Sequence, residues 1–178
     1  AASVIRCYCA HAVPALLQVP GYAHAAVAAQ HPDWPAGAVA RRAELRLRRQ
    51  DVLHRASPAR LWAVIDEAAL RRQVAAPAVM REQLRHLITV SQMPHVTIHV
   101  LPFSAGAAPA PPGAMLAVLR MPDRELPDIG YLEQRAAGRY FRSRSYLDYF
   151  RHVLNMLALT AESAGPPQSA LAAILTQT

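Results

Sequence analysis

Apolar residues along the chain switch repeatedly between a two-residue and a helical period, which predicts strands interleaved with helices. Val4 to Cys9 reads as a short strand. Pro14 opens a helical stretch through Leu16, Leu17 and Tyr22 to Ala29, and the Pro20-Gly21 pair inside it signals either a kink or two short helices. After a loop at His31 to Pro35, the span from Ala36 to His54 predicts one long helix with Ala38, Leu45 and Val52 as its inward row. Leu61 to Ile65 is a continuous apolar run, as expected of a strand covered on both faces. Asp66 stands where it can cap a short helix holding Glu67, Leu70 and Arg71. Pro77 suits the first position of a helix whose Met80, Leu84, Leu87 and Ile88 form one stripe, with Pro94 as its stop. Val96 to Leu101 alternates, with Val96, Ile98 and Val100 facing one way and Thr97, His99 and Leu101 the other.

Strand, helix, strand in this order is a crossover unit with parallel pairing. Pro102 to Gly113 has no periodicity and reads as a loop. Met115 to Met121 and Ile129 to Glu133 then predict two strands joined by a polar turn at Pro122-Asp123. Tyr146, Phe150, Val153, Leu154 and Leu157 share a helical stripe, and Leu171, Ile174 and Leu175 mark a last helix. The expected fold is α/β, a mixed α+β arrangement with a small mixed sheet, a βαβ unit, flanking helices and two C-terminal helices. One domain should cover residues 1–178, with 143–178 a C-terminal helical pair.

Composition sharpens this picture. Hydrophobic residues make up 53%, but alanine supplies much of that, so Leu, Val and Ile must build the core. All 19 basic side chains are arginine, and the net charge of +7 favours acidic partners. Cys7 and Cys9 are too close in sequence for an unstrained disulfide, which points to reduced thiols and a cytoplasmic setting. Their spacing, even with His11, is not that of a structural zinc site, so no metal is expected. No P-loop, dinucleotide fingerprint or G-x-S-x-G elbow occurs, and no cofactor is expected. No apolar run approaches the ~20 residues of a membrane span, and no signal sequence opens the chain.

Candidate chemistry centres on arginine. Arg42, Arg46 and Arg49 recur at helical spacing and Gln50 borders their face. A guanidinium grips carboxylates and phosphates in two-pronged fashion, so the row can hold an anion; its plain alternative is a solvated helix face. Glu67 and Glu133 stand at strand ends, with Tyr131 on the same face as Glu133. Such carboxylates either brace arginines or do acid–base work. The expected site is a cleft between the sheet edge, the arginine helix and the Pro102–Gly113 loop, formed by Arg42, Arg46, Arg49, Gln50, Glu67, Tyr131 and Glu133. If the protein is an enzyme, Glu67, His99 and Glu133 are the proton-transfer candidates. Arg139, Arg142 and Arg144 interleave with Tyr140 and Phe141, which suits single-stranded nucleic acid. The plainer reading of that stretch is a solvated turn before a helix.

The motifs also form an ordered series. Val13-Pro14-Ala15-Leu16-Leu17-Gln18 with Gly21-Tyr22-Ala23 resembles a V-P-G-L-L-Q-T … Y-A opening, and Arg46 to Gln50 matches R-x-x-R-Q. Val64 to Arg72, Gln83-Leu84, Val100-Leu101-Pro102 and Tyr131-Leu132-Glu133 follow in the expected order. Together they resemble the C-terminal domain of unknown function of actinobacterial Xre-type helix-turn-helix regulators, with Ala15 in place of the usual glycine. The resemblance implies an effector-sensing or partner-binding part of an antitoxin-like transcriptional regulator. Its partner would be a small anionic ligand or a small acidic toxin-like protein, with homodimerisation possible in such regulators. DNA binding would belong to a helix-turn-helix that is not among these residues. The alternative is a free-standing enzyme recruited to specialised metabolism, because fold does not fix function.

Overall fold

The computed structural model describes residues 2–107, 115–123, 125–133 and 138–178. Strands β1 (Val4–Cys9), β2 (Arg60–Asp66), β3 (Val96–Leu101), β4 (Met115–Arg120), β5 (Ile129–Glu133) and β6 (Gly138–Phe141) form one mixed sheet in the order β3-β2-β1-β4-β5-β6. β1 runs parallel to β2 and β2 to β3, while β4, β5 and β6 extend the sheet antiparallel. The helices are α1 (Pro20–Gln30), α2 (Ala36–Arg48), α3 (Asp51–His54), α4 (Glu67–Arg71), α5 (Pro77–Val90), α6 (Arg144–Ser163) and α7 (Pro167–Leu175). The mixed α+β architecture is the one expected.

Strand alternation divides the core between two faces. One face carries Ile5, Cys7 and Cys9 with Leu61, Ala63, Ile65, Val96, Ile98, Val100 and Ala117, packed on Leu17, Tyr22, Leu84, Leu87, Leu171 and Ile174. The other carries Tyr8, Val64, Leu116, Val118 and Leu132 beneath α6. Each large apolar side chain so buried contributes about 1.5–3 kcal/mol relative to exposure. The two C-terminal helices therefore serve opposite faces of the sheet: α6 packs on β3 and β4, and α7 on α5 and β3.

Several expectations need correction. The helix expected over Ala36 to His54 breaks after Arg48, and α3 resumes at Asp51. Its inward residues are Val39, Ala43 and Leu53, whereas Leu45 is 52% exposed. Two apolar rows compete on this segment, and docking on Val27 of α1 selects the Val39–Ala43 row. On α6 the stripe begins at Leu147, while Tyr146 is exposed. The stretch expected as a solvated turn holds β6, which pairs with β5 through Tyr131–Tyr140 and Glu133–Gly138. The helix expected to stop at Pro94 ends at Val90. Of the Pro102–Gly113 loop, Phe103–Ala105 forms a 3-10 turn, and positions 108–113 lie outside the described residues, as does Arg135.

Candidate functional site

Helix α2 packs mainly on α1 and on the 3-10 turn Ala15–Leu17. It therefore overhangs the antiparallel half of the sheet, and the space beneath it is a cavity of about 430 Å³. That volume suits a small organic molecule. The floor is one face of the sheet, read in rows across the strands. Ile5 lies beside Leu119, then Cys7 beside Ala117, which pairs with Tyr131, and then Cys9 beside Met115. Glu133, two residues beyond Tyr131, lies on the Cys9–Met115 side of that floor and also lines the cavity. Tyr140 of β6 and His11, Pro14 and Gln18 after β1 complete the wall.

Arg42, Arg46 and Arg49 all line this cavity. Arg46 donates through Nη2 to Gln30 Oε1 at 3.0 Å. Among the described residues none of the three forms an ion pair with a carboxylate. Every Asp and Glu of the sequence is described; Arg42 and Arg49 are exposed to solvent, Arg46 is half-buried, and the carboxylate that acts on Arg46, Glu133, stays beyond ion-pair distance. Burial draws the Arg46 pKa below its ordinary value; Glu133 opposes that shift, and Arg42 and Arg49 add to it. Burial and then Glu133 raise the Tyr131 phenol. The hydrogen bond with Cys7, then burial, holds the Cys9 thiol well above its usual range. Cys7 and Cys9 are both free and buried, and Cys9 stays protonated as a soft, apolar part of the floor.

Gln50 does not line the cavity but holds its rim. Its Nε2 donates to the carbonyls of Ala15 at 3.0 Å and Gln18 at 2.8 Å. Gln83 donates to the Leu17 carbonyl at 2.7 Å and accepts from the Val19 N–H at 2.8 Å. Gln18 donates to the Val13 carbonyl at 2.7 Å. Three glutamines thus serve backbone groups of the strap from Val13 to Val19, whose only ladder of its own among the described residues is the single 3-10 turn Ala15–Leu17.

Glu67 and His99 lie elsewhere. Glu67 pairs with Arg71 and accepts from the Phe103 N–H at 2.8 Å, which fastens the turn after β3. Asp66 caps α4 through the Ala68 N–H at 2.9 Å. His99 sits on the α6 side, edge-on to Trp62, with Nε2 3.8 Å from Glu162 Oε1. The structure therefore gathers Arg42, Arg46, Arg49, Tyr131 and Glu133 at one recess and leaves Gln50, Glu67 and His99 outside it. Sequence reasoning missed Tyr140, Gln18 and the cysteine floor. The i, i+2 spacing of Cys7 and Cys9 was the available signal for the floor.

Among the described residues, no group of three or more His, Cys, Asp or Glu side chains could hold a metal ion. No described helix is long and apolar enough to cross a membrane. No curated protein and no solved structure matches the chain. A family model does match over residues 1–174, nearly the whole length, and the chain belongs to that family, described as a domain of unknown function, DUF5753.

Proposed function

We propose that this domain senses a small organic anion, bound under α2 by Arg42, Arg46 and Arg49, as the ligand-sensing part of an antitoxin-like transcriptional regulator. The observation that carries the reading is the set of three arginines on one recess with no ion-pair partner among the described residues. Clustering like charges costs free energy in the empty state, and an anion offsets that cost. The regulator context rests on the motifs quoted above. A concave site with an apolar floor suits a small molecule better than the flat face of a toxin-like protein. Catalysis by Glu67 or His99 gains no support, since neither faces Glu133 across the cavity.

Anilinonaphthalene sulfonate, an apolar aryl body with one anionic group, is a suitable probe. Its fluorescence should rise on binding, and Arg46→Ala and Arg49→Ala should each weaken binding about tenfold, as expected for loss of a charged hydrogen bond. Added salt should weaken it further. Folded variants that bind the probe as well as the parent protein would sink the proposal.

A further inference from the structure

Opposite charges face one another across this recess without pairing among the described residues. Arg42, Arg46 and Arg49 come from the helix above, and Glu133 from the end of β5 below, all lining the same cavity. Among the described residues the Glu133 side chain makes no hydrogen bond and no ion pair, although it lies close enough to affect Arg46. A simple anion drawn to the arginines would also be pushed away by this carboxylate. A ligand that carries an N–H donor a few bonds from its anionic group meets both walls at once.

Charge narrows the class. Three guanidinium groups against one carboxylate leave the recess positive, so a ligand with a net negative charge suits it better than a zwitterion. The far end of the floor is apolar: Ile5, Leu61 and Leu119 lie two rows away from Glu133, beyond the Cys7–Ala117–Tyr131 row. That end accepts a hydrocarbon body and, among the described residues, offers it the apolar side chains of Ile5, Leu61 and Leu119.

Resting on the anion-binding reading of the cavity, we propose that its ligand is an N-acylated amino acid or a close chemical relative. The arginines hold the carboxylate, Glu133 accepts from the amide N–H, and the apolar side chain lies toward Ile5 and Leu119. Glu133 is then the residue that distinguishes this ligand from other organic anions.

The test compares N-acetyl-phenylalanine with its ester isostere, acetyl-phenyllactate, which has the same charge and shape but an oxygen in place of the N–H. Binding to the whole chain is measured by calorimetry and by thermal shift. The amide should bind about tenfold more tightly than the ester, the value of one charged hydrogen bond. In Glu133→Leu the two should bind within about twofold of each other, because the acceptor is gone. In both Glu133→Leu and Glu133→Gln the ester should bind more tightly than it does to the parent, because a repelling charge has been removed. Equal binding of amide and ester to the parent overturns the inference, and so does an amide preference that survives in Glu133→Leu. Failure of the amide to bind at millimolar concentration overturns it as well. If both bind equally and Arg46→Ala weakens both about tenfold, the anion site stands and only the role of Glu133 falls.

Discussion

At the scale of single residues, Gly138 shows how a missing side chain can shape a site. It pairs with Glu133, and a Cβ placed on it would run into the ring end of Tyr131. The ring of a cavity-lining residue thus lies over a glycine. Because the far end of a side chain can swing aside, Gly138→Ala should cost no more than about 1 kcal/mol of stability while displacing Tyr131 from the wall. Thermal unfolding should move by only about 2–4 °C, and probe binding should weaken measurably; unchanged binding would show that the Tyr131 position is unimportant. His99 makes a different prediction. Burial lowers its pKa from the ordinary 6.5, Glu162 partly opposes this, and Arg6 adds to it. As pH falls through that ordinary value the unfolded chain takes up the proton before the native chain does. Stability is therefore full above about pH 6.5 and is lost on acidification, until the native ring itself protonates. His86, also lowered by burial, acts in the same direction. The melting temperature of His99→Gln should depend less on pH between about 7.5 and 5.5 than that of the parent, and equal slopes would assign the loss to other groups.

At the scale of elements, the strap from Val13 to Val19 depends on side chains for what a ladder would supply elsewhere. Gln83 is its most buried brace and serves two backbone groups at once. Gln83→Leu keeps the volume but orphans the Leu17 carbonyl and the Val19 N–H. It should destabilise the protein by about 2–4 kcal/mol, measured by urea unfolding. Gln50→Ala frees the half-buried side of the same strap and should cost less. A Gln83→Leu protein as stable as the parent would mean that water satisfies those groups. These braces explain how far the elements could be read from sequence. β1 to β5 and the buried rows of α5 and α7 follow from local apolar patterning, β3 from alternation and β2 from a continuous apolar run, because burial and pattern agree there. The break after Arg48 was not legible; it falls beside Gln50, which reaches across to Ala15 and Gln18, a contact between distant parts of the chain. β6 was hidden for a related reason: it is an edge strand of four residues, and its Arg139 and Tyr140 are exposed, so no alternation marks it.

At the scale of the whole molecule, the site exists because the helical layer is displaced relative to the sheet. α5 and α7 pack under the parallel strands, while α2 rests on α1 and reaches over β4 and β5. The arginine spacing showed that three guanidinium groups share a face, but not whether that face meets solvent or sheet. The choice was made by Val39 and Ala43 docking on Val27, a packing event without local signature. Glu67 was misplaced for the same reason. Its position at a strand end was legible, but it lies at β2, beside Arg71 and Phe103, while the cavity lies over β1, β4 and β5. A displaced helix carrying like charges implies a conflict between stability and binding. Arg46 is half-buried, is attracted by Glu133 and repelled by Arg42 and Arg49, and among the described residues has Gln30 alone as a hydrogen-bond partner. Arg46→Met keeps the apolar stem and removes the charge, so without anions it should stabilise the fold by about 1 kcal/mol, raising the melting temperature by about 2–4 °C. With phosphate or an aryl sulfonate at saturating concentration the order should reverse, because only the parent retains all three guanidinium groups and gains stability as the ligand concentration exceeds its dissociation constant. Melting curves of the two proteins with and without anion are sufficient to check this. If Arg46→Met is less stable in both conditions, the arginine braces α2 against the sheet, and its charge is not held in reserve for a ligand.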